Sequence, residues 1–258
     1  MMPGNTIAMM RPAAGAPVGP FDPLTIPELI NWYDPLLDAY TTGTVPVTDG
    51  TDIIDWRSQK AGGGTLFFYG GGTAPTWVAD AGDGQPGTLW SNDHLATTGT
   101  GVSMGLGNQF AAFAIVKPFA SWPVYSRVVS FGVGLDYNSY NGAVLIARDG
   151  SNVALQGYRN SAIKSTKAIT TDVWMAVFSV WDGTNHTIYI NNVGATPVSD
   201  PSNITAAQAY LYVGDIGGNG PWAGYMRDIM VFTGGDVTAH RTNLFNFAKS
   251  KYPGMGLP

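Results

Sequence analysis

The feature that most constrains this chain is a succession of short apolar segments, each fenced by Gly, Asn, Asp or Ser. Period-two alternation recurs in 110–116, 127–133, 143–148 and 152–158. It is clearer still in VWMAVFSVW (173–181), HTIYIN (186–191), AYLYVG (209–214) and YMRDIMVF (225–232). Val, Ile, Tyr, Phe and Trp dominate these segments and suit a pleated, partly buried surface. Turn residues return about every 8–15 positions, the rhythm of an antiparallel sandwich. Asp182-Gly183 and Asn185, between two such segments, signal a hairpin. No fixed-period repeat is visible, which excludes a propeller or a solenoid.

One helix interrupts this pattern. Over 236–252, Val237, Leu244, Phe245, Ala248 and Tyr252 fall on one helical face. Asp236 can cap its start, Lys249 and Lys251 suit its negative end, and Pro253-Gly254 stops it. Thr25-Ile-Pro-Glu28 matches a capping box, but LINWYDP (29–35) equally suits a strand cut off by Pro35, so a turn of helix and then a strand are expected there. Residues 1–24 differ from the rest, with Pro at 3, 12, 17, 20 and 23. Proline at that density forbids a helix and removes ladder donors, which predicts an extended arm. Met1, Met2, Ile7, Met9, Met10 and Phe21 are apolar for a solvated tail. The arm is either a disordered tail or, as these apolar residues favour, a strap in which Ile7, Met9, Met10, Arg11 and Phe21 dock on a partner; the globular domain is expected over 25–258.

Composition narrows the function classes. The chain has 258 residues and no Cys, so disulfides, thiolate metal sites and cysteine nucleophiles are excluded. Only 12% of residues are charged and the net charge is -5, without the basic surface of a nucleic-acid binder. The uncharged stretch 95–116 is broken by Gly, Thr, Ser and Asn and does not read as a membrane span. No export signal is visible, so the Asn-x-Thr patterns at Asn185 and Asn203 are read as chance matches.

Three stretches, in order, resemble the concanavalin A-like (laminin G-like) jelly-roll domains. In 30–59 a Trp-containing strand and a small loop lead to an Asp/Trp turn, here Asp55-Trp56. In 172–192 paired strands end in an Asn-Asn turn, and in 210–252 a Val-Gly strand and an aromatic-Gly strand precede a short helix ending in Lys-Tyr. The resemblance implies an all-β, antiparallel jelly-roll β-sandwich with one short C-terminal helix and an extended N-terminal arm. The scaffold hosts lectins, glycosidases, adhesion modules and virion proteins, so it does not fix a function.

Enzymes of that family carry two glutamates on one strand, as Glu-x-Asp-x-x-Glu. This chain has a single Glu, Glu28, and no strand segment places two Asp on one face. Gly101-Val-Ser103-Met-Gly105 matches a nucleophile elbow, but a turn and a strand come after it instead of the required helix. His94, His186 and His240 are scattered, and the Gly clusters lack the Lys-Ser/Thr of a phosphate loop. Asp80-Ala-Gly-Asp83 and the Asp49/Asp52 pair read as turn formers, not as a calcium loop. No catalytic residue, metal or cofactor is expected. Tyr137, Asn138, Tyr140, Asn141 and Trp222, in loops rich in Gly and Asn, have the chemistry to stack on and hydrogen-bond a sugar, although each aromatic taken alone reads more readily as packed under its loop. Trp56, Trp174 and Trp181 read as core. The arm, the low charge and the absent active site together suggest a tailed-bacteriophage virion protein, of capsid decoration, cement or head-fibre type. Assembled in the host cytoplasm, it would contact other virion proteins, form a homo-oligomer and touch host glycans, with no nucleic-acid or membrane partner. The alternatives are a free-standing carbohydrate-binding module or lectin, then a glycoside hydrolase or lyase.

Overall fold

Alternation in the strand Phe110–Pro118 sorts its side chains into two buried sets. Phe110, Ala112, Ala114 and Val116 enter one core, while Ala111, Phe113 and Ile115 enter another on the opposite face. Strand Met175–Trp181 does the same, with Val177 on one side and Ala176, Phe178 and Val180 on the other. The sheet that holds both strands is therefore covered on both faces. The computed structural model that shows this describes residues 21–42, 44–68, 73–97, 102–103, 109–120, 126–132, 144–148, 154–160, 163–199, 207–208, 210–214 and 221–258.

Sheet I runs in the order Val193–Gly194, Asn185–Ile190, Met175–Trp181, Phe110–Pro118, Trp222–Thr233, Gly87–Asp93, Thr76–Val78, Thr51–Asp52. Sheet II runs Ile163–Ala168, Ala154–Asn160, Val144–Arg148, Ser126–Gly132, Tyr210–Val213, Leu95–Ala96, Thr65–Phe68, Asp55–Arg57, Ala39–Thr42, Val45–Pro46. Neighbouring strands in both sheets pair antiparallel. The first core fills the space between the sheets. Trp90, Ile188, Met226 and Ile229 reach it from sheet I, and Trp56, Leu66, Leu95, Phe131 and Leu211 from sheet II. Trp56 and Trp90 are fully buried, and their indole N–H groups donate to the Asp34 carbonyl and to Thr88 Oγ1. Together these make the expected all-β sandwich, with one short helix near its C-terminal end.

That helix, α1 (Arg241–Lys251), covers the outer face of sheet I. Leu244, Phe245, Phe247 and Ala248 form the second core with Ile26, Trp32, Phe113, Phe178 and Tyr252. A 3₁₀ turn, Thr238–His240, precedes it, and Asp236 Oδ1 accepts the Thr238 N–H at 2.8 Å. The helix predicted over 236–252 thus begins as a tighter turn. Among the described residues, no helix is long and apolar enough to cross a membrane.

At the N-terminal side, the capping residue is Asp22 and not Thr25. Its Oδ1 accepts the Leu24 N–H and starts a 3₁₀ turn over Pro23–Thr25, before the strand Leu29–Tyr33. Phe21, read from sequence as a partner-docking residue, packs with Leu24 against the second core of its own chain. Residues 21–24, assigned to the arm, therefore belong with the globule, because an apolar ring beside an open sheet face gains more by covering it than by leaving it. Ile7, Met9, Met10 and Arg11 lie outside the described residues.

The strand Trp222–Thr233 joins these layers through a β-bulge. Met226 faces Val116 and Ile229 faces Ala114, so Arg227 and Asp228 together oppose Ile115. The extra residue lets Met226 and Ile229 both enter the inter-sheet core, while Arg227 and Asp228 both turn towards the helix side. The strand also changes partner here: 222–226 pair with Gly87–Asp93, and 229–232 with Leu29–Tyr33.

Both charges are buried and paired, Asp228 through its Oδ1 alone. Arg227 is fully buried; it pairs with both oxygens of Asp83 and donates to the Pro86 and Gln85 carbonyls at 2.9 and 3.0 Å. Its guanidinium lies over the Trp174 ring at 4.0 Å and the Tyr252 ring at 4.5 Å. Asp228 accepts from Trp32 Nε1 at 2.6 Å and from Lys251 Nζ at 2.7 Å, and the same ammonium meets Asp34 Oδ2 at 2.8 Å. The desolvation of Asp34, with the Asp228 charge beside it, raises its pKa to about 6 against the lowering effect of Lys251.

The junction makes two outcomes measurable. Arg227→Ala leaves Asp83 unpaired and should lower the unfolding free energy by about 3–5 kcal/mol. Arg227→Lys should restore little of it, because an ammonium lacks the planar fork; denaturant titration monitored by Trp fluorescence measures both. For Asp34, the folded pKa lies above the unfolded one, so its contribution is fully present below about pH 4 and lost as pH rises through about 6. The stability difference between wild type and Asp34→Asn should shift against the wild type across that window, and a shift in the opposite sense would contradict the assignment.

Candidate functional site

With α1 on the outer face of sheet I, the described residues leave part of the outer face of sheet II open. In its strands Ala39, Trp56, Leu66, Leu95 and Leu211 point into the core, so their neighbours point out. The register lines up an outward row across five strands: Tyr40, Asp55, Phe67, Ala96 and Tyr212. Strands about 4.8 Å apart put Tyr40 and Phe67 roughly 10 Å apart, with Asp55 between them.

The row grades from open to covered. Phe67 is 45% exposed, which is unusual for a phenylalanine in the middle of a sheet face, whereas Ala96 and Tyr212 are buried and packed with Tyr210. Arg57, opposite Thr65 on the same face, lies over the Tyr40 ring at 4.4 Å and meets Asp55 Oδ2 at 3.3 Å. Asp38 accepts from the Tyr40 hydroxyl at 2.7 Å and from Gln59 Nε2 at 2.9 Å. The hydrogen bond to Asp38 raises the Tyr40 pKa, so this phenol stays protonated and donating. Asp55 is largely buried, and its Oδ1 has no hydrogen-bond donor. An open aromatic ring therefore lies beside a guanidinium that a largely buried carboxylate tethers. These groups can stack on an apolar sugar face and hydrogen-bond hydroxyls.

The residues proposed from sequence fare differently. Trp222 is fully buried in the inter-sheet core, so it cannot serve as an exposed stacking platform. It begins the long strand and faces inward with Met226, although the Gly/Asn loop before it suggests an open ring. Tyr137, Asn138, Tyr140 and Asn141 lie outside the described residues. Trp56, Trp174 and Trp181 are core, as expected. Tyr40, Asp55, Arg57 and Phe67 were missed, although signals for them exist. In TLFF (65–68) a strand cannot send both Phe67 and Phe68 inward, and an inward Trp56 forces Asp55 and Arg57 out.

Other groups are committed to structure. Asp34, just past the strand Leu29–Tyr33, and Asp228, within Trp222–Thr233, come together, which the sequence did not predict, but one ammonium binds both under Trp32 and Phe247. Asp80 Oδ1 accepts the Gly82, Asp83 and Gly84 N–H groups, as a turn former does, and the Gly84 and Gly82 bonds lower its pKa. Asp55-Trp56, expected at a turn, sits in a strand. Val102 and Ser103 of the elbow-like motif form a short strand paired with Ala207–Gln208. His186 is buried against Ser179 Oγ at 3.0 Å. Among the described residues no group of three or more His, Asp or Glu could hold a metal ion. A cavity of about 270 Å³ lies between α1 and the Asn191-Asn192 turn, but both amide oxygens are used, by the Ala176 N–H and by Arg241 Nε.

No protein-family model and no curated protein sequence matches this chain. Solved structures do match its fold. Domain 4 of AbnA, an extracellular GH43 arabinanase from Geobacillus stearothermophilus solved with arabinotriose, is similar at TM-score 0.56 and 16% identity, over 84% of this chain and 98% of that one. The binding domain of Paraclostridial Mosquitocidal Protein 1 matches at TM-score 0.57 and 10% identity, over 84% of this chain and 52% of that one. Trypanosoma rangeli sialidase matches at TM-score 0.55 and 8% identity, over 88% of this chain and 34% of that one. This chain thus spans nearly all of the arabinanase domain, about half of the toxin domain and a third of the sialidase. At these identities the likeness shows the fold alone: a two-sheet antiparallel sandwich.

Proposed function

We propose that this protein is a non-catalytic β-sandwich that binds glycans on the outward face of sheet II. The observation that carries the reading is Phe67, 45% exposed in mid-sheet, with Asp55, Arg57 and Tyr40 beside it. Burying such a ring offers apolar contact area, and the flanking charged groups orient hydroxyls. The arabinotriose complex of a structurally similar domain supports the same reading. The non-catalytic part rests on Asp34 and Asp228, the paired buried carboxylates, being held by Lys251. Loop residues Tyr137, Asn138, Tyr140 and Asn141 remain the proposal for a second glycan contact.

Glycan-array screening and then calorimetry on the best ligand test the site. Phe67→Ala and Arg57→Ala should each weaken binding about tenfold or more, at unchanged melting temperature. Unchanged binding in both variants, with loss in Tyr137→Ala or Tyr140→Ala, would move the site to the loop.

A narrower proposal places this module in the virion of a tailed bacteriophage, as a capsid decoration, cement or head-fibre protein assembled in the host cytoplasm. It rests on the Pro-rich apolar stretch of residues 1–20 and on the scarcity of charge. Other virion proteins would be the docking partners, in a homo-oligomer that presents sheet II to host glycans. Deleting residues 1–20 should then abolish incorporation into particles while the sandwich still folds; normal incorporation would refute the docking role.

A further inference from the structure

Resting on the glycan reading, we infer that the saccharide taken by this face is neutral, and that uronates and sialates are rejected. Among the described residues, the charged groups tied to this row are the carboxylates Asp38 and Asp55 and the guanidinium of Arg57. That cation is already committed, paired with Asp55 and lying over Tyr40. An acidic sugar that recruited Arg57 would strip Asp55 of its partner and leave a largely buried carboxylate unanswered. It would also meet the Asp38 charge and the field of a chain with net charge -5.

The hydrogen-bonding capacity points the same way. Asp38 has both oxygens engaged, by the Tyr40 hydroxyl and by Gln59. Asp55 has one oxygen on Arg57, and its Oδ1 is buried out of a ligand's reach. The carboxylates of this face are thus occupied or closed, and a hydroxyl can accept from the exposed edge of Arg57 without displacing Asp55. At 3.3 Å the Arg57–Asp55 contact is longer than a tight charge-assisted pair of about 2.7–2.9 Å, and the Arg57 side chain is 39% exposed. The exposed part of Arg57 can therefore donate to one sugar hydroxyl while it stays on Asp55. A neighbouring apolar ring face would then meet Phe67.

Calorimetry with two ligand panels decides this: neutral arabino- and galacto-oligosaccharides, and acidic oligogalacturonates and sialyllactose, each at about 20 and about 200 mM salt. The wild type should bind a neutral ligand at least about tenfold more tightly than any acidic one, with little salt dependence. Asp55→Asn, which replaces an accepting oxygen by a donating amide and removes a charge, should narrow that preference at least about threefold. Asp38→Asn provides the same charge change without touching Arg57 and should narrow it less. Preferential, salt-weakened binding of an acidic panel member would overturn this inference and leave the glycan site standing. Binding to neither panel, by a protein with native Trp fluorescence and a cooperative melt, would overturn both.

Discussion

Much of this architecture depends on one irregularity, the bulge that turns Arg227 and Asp228 to the same side of the strand Trp222–Thr233. A regular strand would send one of the two charges into the inter-sheet core. The bulge instead keeps Met226 and Ile229 inside and aims both charges at the layer above sheet I. There the strand passes from one neighbour to another, and the charges bind the groups that meet at that junction: the 83–86 loop, Trp32, and the end of α1 through Lys251. Isolated buried charges would cost several kcal/mol each, so the pairing must be nearly complete for the junction to hold. The aromatic faces of Trp174 and Tyr252 under Arg227 supply what hydrogen bonds alone do not.

The junction fixes the asymmetry of the sandwich. With α1 and the 3₁₀ turn at Pro23–Thr25 seated on sheet I, the second core covers much of the outer face of that sheet. Among the described residues no helix covers sheet II over its Ala39–Thr42, Asp55–Arg57 and Thr65–Phe68 strands, and outward side chains there are aromatic and charged. The proposed stacking and hydrogen bonding therefore fall on one side of the fold.

Much of the fold was legible because turn residues punctuate it. Asp182 caps its own hairpin through the Thr184 and Asn185 N–H groups, as Asp-Gly with Asn predicted. The apolar face of α1 was readable from Leu244, Phe245 and Ala248. Burial in the central strands was harder to read: when both faces are covered, alternation sorts residues between two cores and loses its polar contrast. Trp222 misled because its inward direction depends on strand parity, and the bulge at Arg227-Asp228 resets that parity downstream. The meeting of Asp34, Asp228 and Lys251 is tertiary and has no local signature. The outward row could have been read from Phe67-Phe68 and Asp55-Trp56-Arg57, whose adjacent residues cannot share a face.

The most direct measurement of the central claim is a crystal structure of the protein soaked with a neutral oligosaccharide that it binds in solution. The account predicts a sugar ring against Phe67, with a hydroxyl accepting from Arg57 and the chain running towards Tyr40. A ligand seated between α1 and the Asn191-Asn192 turn, or held only by residues 135–142, with the sheet II face empty, would contradict it.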